Sequence, residues 1–192
     1  MALTLYGGAR SRASMPRWYM EEKSIPYQWQ LLDMEAGEHR AEPFLQINPF
    51  GKVPALVDED SALPGGRLQL FESGAILLYL AERYGGECGT AAERGLAQQW
   101  VLFANATLAM ALFVPSNRER EFPKLMTVLD GRLAAGPLMD DRWSVADCAV
   151  NAYLAYLPIF FPQIDLSPYP HVQATIAATQ QRPAYQTVMG QR

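Results

Sequence analysis

The spacing of apolar and polar residues divides the chain into two parts of different character. In the first part, short apolar segments with the length and composition of β-strands occur at residues 3–6, 27–31, 55–57 and 68–70. Helical patterns lie between or after them, at 14–23, 41–47 and 73–84. The predicted order is therefore β-α-β-α-β-β-α, which matches a thioredoxin-like α/β unit.

The second part contains helical patterns and no strand pattern. It begins after the Gly-Gly-Glu-Cys-Gly segment at 85–89, and its helices are predicted at 91–114, 122–135, 148–157 and 169–181. Ser144 and Asp147 form a pattern similar to a capping box before the third of these helices. The predicted fold is α/β plus all-α: a thioredoxin-like N-terminal domain over 1–84 and an all-helical C-terminal domain over 90–192.

Two short motifs carry the candidate chemistry. Residues 48–54 read Asn-Pro-Phe-Gly-Lys-Val-Pro, and Pro54 stands directly before a predicted strand. A cis Val53–Pro54 bond would turn the Val53 N–H and C=O outward, where they can pair with the backbone of a peptide. Glu72 and Ser73 then open a predicted helix, whose N-terminus favours an anion. Each motif alone also fits an ordinary turn or helix cap, but together they indicate a site for a small peptide with a carboxylate.

This combination resembles the glutathione transferase superfamily over essentially the whole chain, and most strongly over residues 3–84. The segments 44–57 and 71–80 fit the family pattern, and the opening Leu-Tyr-Gly-Gly-Ala-Arg-Ser-Arg-Ala-Ser and the short chain are most similar to the small Chi class. The resemblance implies that Val53 and Pro54 hold the cysteinyl backbone of glutathione. It also implies that Glu72 and Ser73 hold the γ-glutamyl end.

The resemblance places the catalytic group, which must stabilise the glutathione thiolate, in the loop after the first strand. Ser11 is the first choice, because serine-type members carry a catalytic serine five residues after the aromatic residue at the strand end, here Tyr6. The reactive cysteine of cysteine-type bacterial members aligns with Arg10, so this chain cannot use their mixed-disulfide chemistry. The alternatives are Arg10 or Arg12 as a positive charge, Ser14, Tyr6 and backbone N–H groups at the helix start. Ser14 also fits a helix N-cap, and Tyr6 also fits a packed strand residue.

Two cations are candidates for the other end of glutathione. Theta-like members have a His and a Lys near the glycyl carboxylate, at positions that match His39 and Lys52. A cation facing a carboxylate is favourable, although a single His or Lys is more often a surface residue. The pocket for the electrophile is expected between the domains, which is a common place for ligand pockets.

Composition narrows the class of partners. The chain has 192 residues, 49% hydrophobic and 19% charged, and its net charge of −4 without a basic stripe argues against a nucleic-acid partner. Cys88 and Cys148 lie far apart in the sequence, which disfavours a disulfide framework. The N-terminus lacks the pattern of a signal peptide. No apolar segment is expected to be long enough to span a bilayer, since the segment 153–161 is broken by Pro158. We therefore expect a cytoplasmic protein with no membrane partner.

The resemblance implies a glutathione transferase that forms a homodimer and acts in detoxification. Its bound glutathione thiolate would attack a small apolar electrophile such as an isothiocyanate or an activated halide, with glutathione as co-substrate and no metal. Two alternatives use the same fold. One is a glutathione-dependent peroxidase or dehalogenase, and the other is a non-catalytic module that binds ligands or proteins.

Overall fold

The computed structural model describes residues 2–139 and 141–189. These residues form two compact units: one runs to Gly85 and includes residues 187–189, and the other runs Gly86–Gln186. Whether residues 1–84 and 90–192 are separate domains stays a prediction.

The first unit is a four-stranded mixed sheet with helices. Its strands lie in the order β2-β1-β3-β4, with β1 parallel to β2 and antiparallel to β3, and β3 antiparallel to β4. The strands are β1 (Leu3–Gly7), β2 (Gln28–Leu31), β3 (Ala55–Asp58) and β4 (Leu68–Phe71), and the helices are α1 (Ser14–Glu22) and α2 (Ser73–Arg83). This arrangement confirms the predicted thioredoxin-like fold.

The register of the strands brings distant parts of the sequence to one edge of the sheet. Tyr6 on β1 pairs with Ala55, and Ala55 pairs with Phe71 on β4. On the other side, Gly7 pairs with Leu31 at the end of β2. The segments that follow β1, β2 and β4 and the one that precedes β3 therefore all leave the sheet at this edge, with neighbouring strands about 5 Å apart.

The helix predicted at 41–47 is wrong. The chain forms two short 3₁₀ turns there, Glu38–Arg40 and Phe44–Gln46. Prolines at 43 and 49 leave too few residues for a stable α-helix. The backbone hydrogen bonds mix i→i+3 bonds of tight turns with single i→i+4 bonds from the Leu45 and Asn48 N–H groups.

The second unit is helical in its described part. Its elements are α3 (Ala91–Leu102), a π-helical turn (Phe103–Leu108), α4 (Ala109–Phe113), α5 (Pro115–Leu133), α6 (Val145–Phe160) and α7 (Pro170–Gln181), and α8 (Pro183–Met189) follows. Every residue of α6 from Val145 to Leu157 is buried. The predicted cap of α6 is confirmed, because the Asp147 carboxylate accepts hydrogen bonds from the Ser144 N–H (3.0 Å) and hydroxyl (2.8 Å).

The continuous helix from Ala91 to Phe113 is long and apolar enough to cross a membrane, by length and composition alone. Of its most apolar segment of 18 residues, 39% is buried inside the protein. The expectation that no apolar segment reaches this length was therefore wrong. Asn105 lies in the π turn, and its side-chain amide donates a hydrogen bond to the Val101 C=O one turn earlier (3.1 Å). Its Oδ1 accepts a hydrogen bond from the Tyr153 hydroxyl on α6 (2.9 Å). A core helix of a globular unit has the same length and apolarity.

Candidate active site

The loop after β1 is organised around the side chain of Ser11. Its Oγ accepts hydrogen bonds from the Gly8 N–H and the Ala13 N–H, both at 3.3 Å. A serine oxygen has two acceptor lone pairs and one proton to donate. Because both lone pairs face backbone N–H groups, the chemistry left to Ser11 is donation of its proton to an acceptor.

Close packing leaves no space for a larger side chain at the start of this loop. A Cβ placed on Gly7 would lie 2.4 Å from the Ala13 Cβ and 2.4 Å from the Trp29 ring, so the backbone passes against its neighbours without room for a side chain. Arg10 has a positive φ of 56°, a strained conformation for a residue other than glycine. A strained backbone over a tightly packed strand end is common at functional sites.

The other candidates in this loop differ in position. Arg10 and Arg12 are exposed at the surface. Ser14 is the first residue of α1 and Ala13 precedes the helix, so the predicted N-cap role of Ser14 is wrong. Tyr6 is half-buried, with its ring centroid 5.8 Å from that of Phe44, in a small apolar cluster. This contact supports the reading of Tyr6 as a packed strand residue.

The Val53–Pro54 peptide bond is cis, as the sequence predicts. Pro54 is buried and Val53 is half-buried, and the ladders on both sides of β3 begin only at Ala55. Within the described ranges, the backbone N–H and C=O of Val53 make no hydrogen bond. Val53 therefore stands at the free end of a central strand, where an added peptide can extend the pairing.

The loop before Val53 is fixed by a residue that the sequence analysis missed. Asn48 is 2% exposed; its amide donates to the Lys52 C=O (2.7 Å) and its Oδ1 accepts from the Phe50 N–H (3.1 Å). Gly51 has φ 57°, and a Cβ there would lie 2.9 Å from the His39 C=O. The Asn-Pro pair that precedes the loop was the available signal, because asparagine often bonds to the backbone of its own turn.

The two candidate cations occupy different environments. The Lys52 residue is exposed, whereas His39 is 8% exposed. The Nδ1 of His39 is buried without a hydrogen-bond partner among the residues that the structure describes. A buried polar nitrogen without a partner is costly, but protein atoms enclose this one, so a ligand reaches it only if the surrounding side chains move.

Glu72 and Ser73 form the start of α2, as predicted. Glu72 precedes the helix with φ 69° and ψ 119°, and its C=O accepts the first helical hydrogen bond from the Ile76 N–H (3.0 Å). Such a φ costs a glutamate about 1–3 kcal/mol, and strain of this kind concentrates at binding sites. Ser73 is 2% exposed and Glu72 is exposed. Backbone N–H groups at this helix start favour a carboxylate.

The described residues contain no group of three or more His, Cys, Asp or Glu side chains able to hold a metal ion. Cys88 and Cys148 form no disulfide bond, and both are buried.

Comparison with known proteins identifies the family. Residues 1–82 match the family model of the glutathione S-transferase N-terminal domain. The chain is 31% identical to a glutathione S-transferase-like protein, OpS6, of Beauveria bassiana, with 88% of this chain and 85% of that protein covered. It is 34% identical to the disulfide-bond oxidoreductase YfcG of Escherichia coli, with 86% and 84% covered.

Solved structures agree with these relatives. A glutathione transferase from Burkholderia graminis, solved with two glutathione molecules bound per subunit, is 30% identical to this chain and superimposes with a TM-score of 0.79. The superposition covers 98% of this chain and 88% of that one. Together with the relatives of similar length, it shows that the chain belongs to the glutathione S-transferase superfamily.

Proposed function

We propose that this protein binds glutathione at the sheet edge where β1, β3 and β4 meet, and that it transfers the glutathione thiolate to small apolar electrophiles. The observation that carries the proposal is the strand register. It brings the Ser11 loop, the free Val53 backbone and the start of α2 at Glu72 and Ser73 to one edge. One peptide ligand can touch all three.

In the proposed binding mode, the cysteinyl backbone of glutathione pairs with Val53 beside Pro54. The γ-glutamyl carboxylate lies at the start of α2, where Ser73 and backbone N–H groups donate to it and Glu72 accepts from the γ-glutamyl ammonium group. This assignment uses an anion at a helix N-terminus and a cation beside a carboxylate, so each charged group of the ligand meets its complement.

The glycyl carboxylate would then lie near His39 and Lys52. His39 supplies a buried nitrogen that still needs a partner, and Lys52 supplies a charge on a loop fixed by Asn48. The exposed position of Lys52 makes its contribution small, since solvent screens the charge.

Ser11 is the proposed donor to the thiolate. Its Oγ already accepts two backbone N–H groups, and these polarise the hydroxyl toward donation. The stabilised sulfur attacks an electrophilic carbon. With an activated halide the carbon–halogen bond breaks and the halide leaves; with an isothiocyanate the sulfur adds to the central carbon and the nitrogen takes a proton from water. Arg10 and Arg12 are the alternative source of stabilisation, as positive charges.

Calorimetry with glutathione and a turnover assay on a panel of isothiocyanates, activated aryl halides, alkyl halides and hydroperoxides test this proposal. Turnover of the first two classes above the rate in buffer is the expected result. Preference for alkyl halides or hydroperoxides would favour the dehalogenase or peroxidase alternative. Binding of glutathione without turnover of any class would favour a non-catalytic binding module.

A second candidate function is glutathione-dependent disulfide reduction, and the relative named a disulfide-bond oxidoreductase favours it. Cys88 and Cys148 are buried, so the thiols must come from glutathione. A first glutathione thiolate attacks the disulfide and releases one thiolate; a second attacks the mixed disulfide and releases glutathione disulfide and the other thiolate. Reduction of 2-hydroxyethyl disulfide, compared with conjugation under the same conditions, separates the two functions.

The proposal also covers the class of transferase, the oligomeric state and the cellular location of the protein. The opening segment of the sequence supports the Chi class, and the family resemblance supports a cytoplasmic homodimer with a role in detoxification. Light scattering on the purified protein tests the homodimer directly.

A further inference from the structure

A buried carboxylate outside the proposed glutathione site links strand β3 to helix α2. The proposed anchors of glutathione, the Val53 backbone and Ser73, lie at the starts of these two elements. Asp58 is the last residue of β3 and is 0% exposed. Its Oδ2 accepts hydrogen bonds from the Tyr79 hydroxyl (2.6 Å) and the Tyr84 hydroxyl (2.5 Å), and its Oδ1 accepts from the Asp60 N–H (2.9 Å). Tyr79 lies within α2 and Tyr84 directly follows it.

The electrostatics of this cluster favour a carboxylate and two neutral phenols. Burial is the largest single effect on the pKa of Asp58 and raises it. The hydrogen bonds from the two tyrosines and the Asp60 N–H, together with the charge of Arg83, bring the net pKa below its ordinary value. Burial and the bond to Asp58 raise the pKa of Tyr84 to about 12, and the pKa of Tyr79 is also raised. The cluster is therefore charged and fully bonded at neutral pH, when its hydrogen bonds are strongest.

The cluster lies at the opposite ends of β3 and α2 from the proposed anchors. Val53 and Pro54 precede β3, and Ser73 begins α2. From Ala55 to Asp58 the strand rises about 10 Å. From Ser73 to Tyr79 the helix rises about 9 Å. The bond between Asp58 and Tyr79 thus joins the two elements about 10 Å along β3 from Ala55, which lies two residues after Val53, and about 9 Å along α2 from Ser73.

We propose that Asp58 is a positioning residue for glutathione: by holding β3 and α2 together at their far ends, it fixes the distance between the Val53 backbone and Ser73. The proposal rests on the proposed function, in which these two groups hold one ligand. Loss of the cluster would let α2 shift against β3. The distance between the Val53 backbone and Ser73 would then no longer fit a ligand that contacts both.

A double-mutant cycle on glutathione affinity tests this role. We expect Asp58→Asn to raise the glutathione Kd about three- to thirtyfold in the otherwise native protein, and to have a much smaller effect when Ser73→Ala is already present. Distant residues without a shared partner usually act additively, so additive effects on Kd would overturn the proposal. A lower Tm with an unchanged Kd would also overturn it, because the cluster would then serve stability alone.

Two further comparisons keep the result decisive. Tyr79→Phe tests the cluster if Asp58→Asn fails to fold, and it should raise the Kd in the same direction. Tyr27→Phe is the matched control, because the Tyr27 hydroxyl donates to the Glu21 carboxylate (2.6 Å) in the same unit but joins α1 to the segment before β2. The control should leave the Kd unchanged. If Ser73→Ala alone leaves the Kd unchanged, the anchor and with it the proposed function fail, whatever Asp58 does.

Discussion

Replacement of Ser11 by alanine separates a role in chemistry from a role in loop structure. A free thiol has a pKa of about 8.5, and a hydrogen bond to a charged group contributes about 1.5–3 kcal/mol. One pKa unit corresponds to about 1.4 kcal/mol, so loss of the Ser11 hydroxyl should raise the pKa of bound glutathione by about one to two units. At a pH well below both thiol pKa values this lowers turnover roughly ten- to a hundredfold, because less of the bound thiol is ionised.

The same replacement also removes the acceptor for the Gly8 and Ala13 N–H groups. Those bonds are 3.3 Å long, and their loss should cost about 1 kcal/mol of folding free energy. The pH dependence tells the two effects apart. If Ser11 stabilises the thiolate, the rate gap between wild type and Ser11→Ala closes above about pH 9.5, where both thiols are ionised.

Ultraviolet titration of the bound thiolate is the direct assay. An unshifted thiol pKa in Ser11→Ala, or a rate gap that stays constant up to pH 9.5, would refute the role of Ser11 as donor. Arg10→Ala and Arg12→Ala test the competing source of stabilisation, and Ser14→Ala tests the neighbouring hydroxyl. If an arginine is responsible, its variant shows the raised thiol pKa and Ser11→Ala does not.

Three further outcomes are expected. Ser73→Ala should weaken glutathione binding in calorimetry by about 1.5–3 kcal/mol, because it removes a hydrogen bond to a carboxylate; equal affinities would exclude that contact. Asp147→Ala should lower the free energy of unfolding, measured in urea, by about 2–4 kcal/mol, because it removes the cap of α6 and the acceptor of the Leu138 N–H (2.9 Å). Extrapolated unfolding free energies carry an uncertainty of about 10–15%, so a loss below about 0.5 kcal/mol would contradict this role. Stability should fall as pH rises from about 10 to 12, because Tyr84 ionises near 10 in the unfolded chain and only near 12 in the fold. The fall should be smaller in Tyr84→Phe, measured by urea unfolding at each pH.

Local sequence signals identified the parts of the fold that depend on neighbours in the chain. Ser144 and Asp147 are three residues apart, so their capping bonds form within one turn and can be predicted without the rest of the structure. Pro54 before a strand and Ser73 at a helix start are signals of the same local kind, and the elements they mark lie where they were predicted.

Elements without an apolar stripe were harder to predict. α5 begins at Pro115, seven residues before the predicted start, because its first two turns are polar and exposed for most of their length. The last helix, Pro183–Met189, was not predicted, since seven residues give too short a pattern. Asn105 in the π turn accepts a hydrogen bond from the Tyr153 hydroxyl on another helix, and residues 103–108 alone contain no signal for that partner.

In and around the candidate site, too, some features have a local signal in the sequence and others do not. Asp58 reads in the sequence as an ordinary polar strand end, and only the fold shows that two tyrosines more than 20 residues away donate to it. The role of Asn48 likewise depends on the closure of its loop onto the Lys52 C=O. Buried polar residues whose partners are distant in sequence carry no local periodic signal, so sequence reasoning alone does not find them.

The anchors and the donor of the proposed site differ in what fixes them, and this difference explains why binding is easier to predict than chemistry. The Val53 backbone and the start of α2 are placed by strand register, which many hydrogen bonds determine together. The Ser11 hydroxyl is placed by two hydrogen bonds of 3.3 Å in a loop with a strained Arg10. A single substitution in that loop can therefore remove the thiolate donor while the sheet edge keeps its shape. We therefore expect Ser11→Ala to raise the pKa of the bound thiol while leaving glutathione affinity nearly unchanged.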